Sequence, residues 1–306
     1  MWGHFTTVFY EGGSIHFPDT HESVFRSWLK TNNYVSITTR LMQDTILHQD
    51  CKVALAELQA ESIDLTVTSP PYDDVRSYNG FSFTHEDFKT IAAQLYRVTK
   101  PGGVVVWVVG DATVKGSETG TSFRQALGFM DAGFKLHDTM IYEKNTSSFP
   151  AKRTGTRYTQ IFEYMFVFSK GGPPKTAHLI CDKANKWAGH TNWGKNTQRG
   201  TDGELVETSD IKPVPDFSPR NNIWQYVVGK GFNSSDKESH NHPAIFPEKL
   251  AEDHILTWTN ESDVVLDPFS GSGTTCKMAK KNKRHYIAIE VSEEYCKLSE
   301  SILSKY

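Results

Sequence analysis

Two short stretches carry residue types whose spacing can do chemistry. The first is Val264–Thr275, VVLDPFSGSGTT, where an apolar run ends at Asp267 and a glycine-rich turn leads to Thr274 and Thr275 at the head of a helix. Gly271 and Gly273 let a ligand approach the backbone closely, and the N–H groups at a helix start suit a carboxylate or phosphate. The next apolar run, YIAIE, ends in Glu290, where an acidic side chain would meet ribose hydroxyls. A glycine-rich turn alone need be no more than a capped helix. With strand, turn, helix and following acid all in place, a nucleoside-binding loop is the better account. A dinucleotide site is the rival, but the third glycine it requires is Cys276 here.

The second stretch is Thr68–Tyr72, TSPPY, directly after the apolar run Ile63–Thr68. Pro70 and Pro71 hold the chain extended and remove two N–H donors, so nearby carbonyls become fixed acceptors. Ser69 adds a hydroxyl and Tyr72 a flat ring. In isolation such a segment is a rigid loop. Its place at the end of a parallel strand, where open α/β sheets bind ligands, gives it chemical meaning.

The frame that must position these residues is legible as alternating strand and helix patterns. Strands are expected at Thr45–Gln49, Ile63–Thr68 and Val104–Val109, with helices at Lys52–Gln59 and His85–Val98 between them. KPGG at Lys100–Gly103 reads as the turn that starts the third strand. A helix near Ser122–Ala132 follows, then strands Leu136–Tyr142 and Ile161–Phe168, expected to pair antiparallel at a sheet edge. Periodicity fails from Gly171 to about Asn241, a stretch too long for an ordinary connection and dotted with aromatics such as Trp187, Trp224 and Tyr226. The pattern resumes with a helix at Pro247–Thr257, a strand at Asp263–Leu266, a helix at Thr274–Asn282, a strand at His285–Ile289 and a helix at Ser292–Leu303. Together these imply one doubly wound α/β sheet interrupted by an insertion. Residues 1 to about 40 are aromatic and polar, with a short helix expected at His21–Leu29, and suggest no role.

Composition bounds the function. A chain of 306 residues with 38% hydrophobic residues fits one large α/β domain, or a core domain with a substantial insertion. No apolar run approaches a membrane span, and the start MWGHFTTVFYEGGS lacks the zones of a signal peptide. Cys51, Cys181, Cys276 and Cys296 are scattered without a C-x-x-C pair and read as free thiols of a reducing compartment. The twelve histidines show no metal spacing, so no metal is expected. A cytoplasmic protein is expected, nucleoid-associated if the host is prokaryotic. The net charge of −3 hides an asymmetry. Lys144–Lys237 holds 14 Lys+Arg against 8 Asp+Glu, a net of +6, and the remainder carries 19 against 28, a net of −9. A basic middle segment can meet phosphates while the rest stays neutral toward them.

Ser69–Tyr72 and Asp267–Thr275 together resemble the catalytic and cofactor motifs of amino-group DNA methyltransferases. Their order, catalytic motif first and cofactor motif last, resembles the circularly permuted group labelled beta. HQDC (His48–Cys51) is similar to that family's adenine-contacting motif, and NHPAIFPEKL (Asn241–Leu250) to the motif preceding the cofactor loop. The likeness spans residues 44–170 and 220–306. It implies a Rossmann-like sheet in the order 3-2-1-4-5 with two further strands, entered here at strand three, and S-adenosyl-L-methionine as cofactor. By implication Glu290 binds the ribose hydroxyls, and Asp50 the adenine amine, with Cys51 beside it. Phe269, Ser270, Gly271, Ser272 and Gly273, with Thr275, line the methionine part, and Asp267 and Thr274 belong to the same cofactor site. Lys249 is a candidate for the methionine carboxylate, with a solvated helix lysine as the simpler alternative.

The resemblance also implies the reaction. Ser69 and the Pro70 carbonyl would accept the two hydrogens of an exocyclic base amine, Pro71 would keep the loop extended, and Tyr72 would stack on the flipped base. Asp111, after the neighbouring strand, would take the released proton or serve a capping role. The organisation expected is an N-terminal extension (1–43), a catalytic half (44–170), a target-recognition insertion (171–240) and a cofactor half (241–306). Lys152, Arg153, Arg157, Lys195 and Arg199 are candidates for phosphate contacts with double-stranded DNA, although for each alone a solvated surface charge is the simpler account. A homodimer and a separately acting restriction endonuclease are compatible partners. Serine before Pro-Pro-Tyr points to N4 of cytosine. The alternatives are an N6-adenine enzyme, which more often has Asp or Asn there, and a catalytically silent DNA-binding module. A methyltransferase of RNA or protein glutamine would carry the cofactor motif first.

Overall fold

The structure, a computed structural model, describes residues 5–10, 13–18, 43–71, 83–146, 156–191, 197–207, 212–229, 231–241, 245 and 247–306. Two compact units divide at Leu41/Met42. In the first, Phe5–Tyr10 and Gly13–Pro18 form an antiparallel hairpin with Phe5 opposite Pro18. The helix expected at His21–Leu29 lies outside the described residues, as does Tyr72.

The second unit is built on an eight-stranded sheet. Its strands in chain order are β1 (Thr45–His48), β2 (Ile63–Thr68), β3 (Thr99–Val109), β4 (Lys135–Lys144), β5 (Phe162–Ser169), β6 (Ile223–Tyr226), β7 (Val264–Asp267) and β8 (His285–Glu290). Across the sheet they run β6-β4-β5-β3-β2-β7-β8-β1, all parallel except β5. Successive strand side chains point to opposite faces, and here both faces are covered. Leu65, Val67, Val104, Val106 and Val265 pack against α4 (Glu248–Trp258), α5 (Thr274–Lys281) and α6 (Glu293–Leu303). Ile63, Val105, Trp107, Leu266, Ile287 and Ile289 pack against α1 (Cys51–Glu57), α2 (His85–Val98) and α3 (Thr121–Asp131). The fold is a doubly wound, Rossmann-like α/β sheet. Among the described residues, no helix is long and apolar enough to cross a membrane.

Two departures from the sequence pattern matter. The expected antiparallel pair, β4 and β5, does form, but not at the edge. β6, drawn from the stretch where periodicity fails, adds in parallel beyond β4 and buries Trp224 and Tyr226 in the core. Four residues with only two inward aromatics are too short for a period-2 signal to stand out. Lys100–Gly103, expected as a turn before β3, lies inside it. Ile63 pairs with Thr99 and Leu65 with Val104, so these four residues bulge opposite Asp64 alone. Gly102, at φ 76°, supplies the left-handed backbone that the bulge needs.

Candidate active site

The sheet order sets the site. β2, β7, β8 and β1 are consecutive neighbours, all parallel, so their C-terminal ends lie side by side. Ser69 follows β2, Asp267 ends β7, Glu290 ends β8, and Asp50 follows β1. Three strand spacings separate the first from the last, roughly 14 Å at about 4.8 Å each. This crevice brings together the four polar groups singled out at the strand ends, Asp50 and Ser69 with Asp267 and Glu290, which lie 198 to 240 residues further along the chain.

At its centre Asp267 is buried, and its Oδ1 accepts from the Thr68 hydroxyl (2.6 Å) and from the Phe269 amide (3.1 Å). The first bond ties the end of β2, one residue before Ser69, to the start of the glycine-rich turn. Burial pushes the Asp267 carboxyl up to about 6, partly opposed by the hydrogen bonds from Thr68, Phe269 and Thr275. The Thr275 hydroxyl also donates to the Val67 carbonyl (3.1 Å), a second stitch between the two motifs.

Glu290 folds back on the turn. Its Oε2 accepts from Gly271 N–H (2.9 Å) and its Oε1 from Ser292 N–H (2.9 Å). Burial raises its pKa, and the amide donors of Ser292, Gly271 and Val291 work the other way. Gly271 (φ 49°) and Gly273 (φ 79°) both adopt left-handed backbone. Gly273 is the N-cap of α5 and also a close-approach point, because a Cβ there would sit 2.1 Å from Ser299 Oγ. Phe269 packs edge-on to Phe83 and Trp107, joining the turn to the aromatic core. Ser270, Ser272, Thr274 and Thr275 are buried in the turn and the first residues of the helix.

Asp50 caps α1, its Oδ1 accepting from Lys52 N–H at 2.8 Å. Gln49 N–H bonds the Glu290 carbonyl (3.0 Å), which holds the two acids on adjacent strand ends. Cys51, half-buried, packs against the same cluster as Leu47, Phe83 and Phe269. Burial, with the Asp50 charge, lifts its thiol to about 12, so it is a neutral wall and not a nucleophile. Pro70 is buried, and Ser69 and Pro71 are partly exposed.

These groups fit an adenosyl cofactor. Two carboxylates stand at one end for hydroxyl and amine hydrogens, and two left-handed glycines open the backbone between them and β2. Ser270 Oγ, fully buried within the turn, has no partner among the described residues, a vacancy that a polar ligand would fill.

Other candidates lie apart. Lys249 is held by Glu252 (3.1 Å) and Asp253 (2.5 Å) of its own helix, the solvated-face alternative. Asp111 receives the Ser122 amide (3.0 Å) and hydroxyl, fastening the start of α3 to the end of β3. Arg157 pairs with Glu118 and donates to the Gly116 carbonyl, and Arg199 is exposed on the hairpin of Thr197–Arg199 with Leu205–Glu207. Lys152, Arg153 and Lys195 lie outside the described residues. Sequence inspection missed Thr68, which looked like one more strand residue; its place beside the Ser-Pro-Pro turn was the available signal.

The signature of the DNA methylase family of N6 and N4 methyltransferases matches residues 63–301. The chain belongs to that family. This DNA methyltransferase is 58% identical over 245 residues to the orphan methyltransferase M.BamHII of Bacillus amyloliquefaciens, covering 80% of this chain and 90% of that one. It is 25% identical to the DNA adenine methyltransferase YhdJ of Escherichia coli, covering 83% and 80% of the two chains. In fold it is similar to the cytosine-N4-specific PvuII DNA methyltransferase (TM-score 0.61, 23% identity, 85% and 86% covered). It is also similar to a DNA modification methylase of Thermus thermophilus solved with S-adenosyl-L-methionine (TM-score 0.57, 21% identity, 85% and 93% covered). S-adenosyl-L-methionine is the cofactor of this methyltransferase family.

Proposed function

We propose that this methyltransferase modifies N4 of a cytosine flipped out of double-stranded DNA, using the crevice between β2 and β1. The observation that carries the proposal is Ser69. A neutral hydroxyl stands where β2 ends, one residue beyond the Thr68–Asp267 bond that joins it to the cofactor turn. S-adenosyl-L-methionine supplies an electrophilic methyl group on a sulfonium, so little acid–base machinery is needed. The difficulty is the amine, whose lone pair is spread into the ring. Ser69 Oγ and the Pro70 carbonyl accept its two hydrogens and draw it toward a pyramidal, more nucleophilic geometry. Serine is shorter than Asp or Asn and suits a pyrimidine amine, which must reach deeper than a purine amine. Tyr72 stacks on the flipped base. Glu290 takes the ribose hydroxyls and Asp50 the adenine. Likeness to the N4-specific PvuII enzyme supports cytosine, whereas likeness to YhdJ favours N6-adenine as the second reading.

Residues 171–240 serve target recognition, with the basic side chains Arg157 and Arg199, and Lys152, Arg153 and Lys195, as phosphate contacts. Tyr226 OH and Arg220 both bond the buried Asp253 (2.8 and 2.9 Å), which anchors that region to α4. Among the described residues, a face suited to a homodimer lies on α3. Phe123, Leu127 and Met130 of α3 are exposed, flanked by Arg124 and Asp131, so two antiparallel copies would oppose unlike charges about Leu127. Leu127→Asp should convert a dimer to monomer by light scattering; a mass unchanged by the substitution removes this face.

The base is tested by incubating the protein with labelled cofactor and mixed-sequence DNA, digesting to nucleosides and weighing the product. N4-methylcytosine is expected. N6-methyladenine alone would overturn the cytosine assignment and leave fold and cofactor standing.

A further inference from the structure

We propose that Lys277 is a positioning residue that fixes the glycine-rich cofactor turn to the segment returning from the target-recognition region. The proposal rests on that turn being the cofactor site. Lys277 lies one turn into α5 and is 1% exposed. Its amide donates to the Gly273 carbonyl at 2.9 Å, so any displacement of Lys277 is felt directly by the last residue of the turn.

A lysine this deeply buried must have its charge and all three ammonium hydrogens matched. Nζ donates to Asp236 Oδ2 (2.5 Å), Glu248 Oε1 (2.6 Å) and Ser235 Oγ (2.8 Å). The acceptors come from the segment 231–241 and the first residue of α4, which bring the chain back from the irregular region. The same carboxylates are themselves fastened. Asp236 also receives Lys305 Nζ (3.4 Å) and Tyr306 OH (3.2 Å), and Glu248 receives the Ser235 amide (2.9 Å) and the Ser234 hydroxyl (2.5 Å). Burial alone would disfavour the ammonium, but Asp236 and Glu248 reverse this and leave its pKa raised.

Well-packed apolar side chains often replace a buried ion pair without loss of stability. The best-attested use of such a pair is to fix one register. Here the register is that of α5 against the returning segment. On its other side the turn is already pinned by the contact of Gly273 with Ser299 of α6. Lys277 therefore adds a fastening to the returning segment that the Ser299 contact does not supply. A force on the recognition region reaches the cofactor through two side-chain bonds and one helical hydrogen bond.

The test compares Lys277→Met, Asp236→Asn and the charge-free triple variant Lys277→Met/Asp236→Asn/Glu248→Gln in the full chain. Thermal unfolding and calorimetric binding of S-adenosylhomocysteine are measured for each, with cofactor KM and kcat on DNA. Lys277→Met should lower Tm and weaken binding at least tenfold. It should raise KM while kcat at saturating cofactor stays within about threefold. The triple variant, with no unpaired buried charge, should recover Tm but not affinity. A triple variant with both wild-type Tm and wild-type affinity overturns the proposal, since Lys277 would then only balance charge. If Lys277→Met and the triple variant do not fold, Asp236→Asn decides: weaker binding with a near-native Tm supports the role, and unchanged binding overturns it. Glu290→Ala is the control. Should it leave affinity unchanged, the site itself is misplaced; should it weaken binding while the Lys277 and Asp236 variants do not, only this inference fails.

Discussion

Glu290→Ala removes the carboxylate that holds the turn and, in the proposed complex, the ribose. In the structure each oxygen accepts one main-chain donor, Gly271 N–H and Ser292 N–H, both at 2.9 Å. A carboxylate oxygen can accept a second bond, which leaves capacity for the two ribose hydroxyls. A hydrogen bond to a charged group contributes about 1.5–3 kcal/mol, so losing even one to the cofactor weakens binding tenfold or more at about 1.4 kcal/mol per decade. In the alanine variant water can reach the rim and satisfy the orphaned amides. Glu290→Gln behaves differently. Its carbonyl keeps one amide, but its NH2 group meets the other donor, so the turn itself is disturbed and Tm should fall further than for alanine. Because burial raises the Glu290 pKa, wild-type affinity should decline as pH is lowered into the acidic range, where the protonated acid loses acceptor capacity. The glutamine variant should lack that decline. Calorimetric titration with S-adenosylhomocysteine, on variants shown to be folded by circular dichroism, reads all of this. Unchanged affinity in a folded alanine variant would refute the assignment.

Ser69→Ala should leave cofactor binding intact and slow methyl transfer a hundredfold or more, about the loss of one aimed hydrogen bond in the transition state; single-turnover rates near wild type would count against it. The excess of Lys and Arg in the middle segment predicts DNA affinity that falls steeply with salt while cofactor affinity hardly changes. Exchanging residues 171–235 for those of a relative with another specificity should change the modified sequence, and an active hybrid that keeps the original site would place recognition elsewhere. Asp267 titrates at about 6 when folded against 3.8 as a free side chain, so the folded state holds its proton more tightly. Its contribution to stability is complete below about pH 4 and is lost as pH rises to about 6, on the order of 2–3 kcal/mol at 1.36 kcal/mol per unit. Asp267→Asn keeps an acceptor for Thr68 and Phe269 and should flatten the fall in Tm between pH 4 and 6; an identical slope would show that another group sets it.

How legible the molecule was depended on the length of each signal. The six- and fourteen-residue elements β2 and α2 announce themselves through apolar periodicity. β6 could not be seen, because four residues within a polar, glycine-rich stretch give no statistics, and what makes them a strand is the free edge of β4. The bulge at Lys100–Gly103 was mistaken for a turn since Pro-Gly-Gly breaks strands locally, while pairing on both sides carries the strand through. Within the site, glycine-rich turn and acid were visible because their residue types are unusual. Thr68 and Lys277 were not, since a threonine in a strand and a lysine in a helix are ordinary until their partners are known. Those partners lie 199 residues away for Thr68 and 29 or 41 away for Lys277.

The distance between Thr68 and Asp267 also explains how two halves so far apart in the chain make one site. β1 opens the sheet next to β8, and the Asp44 amide bonds the Tyr286 carbonyl at 2.7 Å, so the unit begins beside the strand that precedes its last helix. With those two points adjacent, where the chain is cut has no effect on which strands are neighbours. Sheet order alone then decides which strand ends face one another, and β2 meets β7 whichever is made first. Chain order matters only for what lies between them. Here residues 171–240, the proposed recognition region, follow β5 and precede α4 and the cofactor turn, and their side-chain fastenings run to the cofactor half. Asp253 holds it through Tyr226 and Arg220, and the Lys277 node holds its return. A rigid-body movement of that region on DNA would therefore act on the cofactor side through charged contacts, whereas its link to the catalytic strand runs through the hydrogen-bonded sheet from β6 to β2.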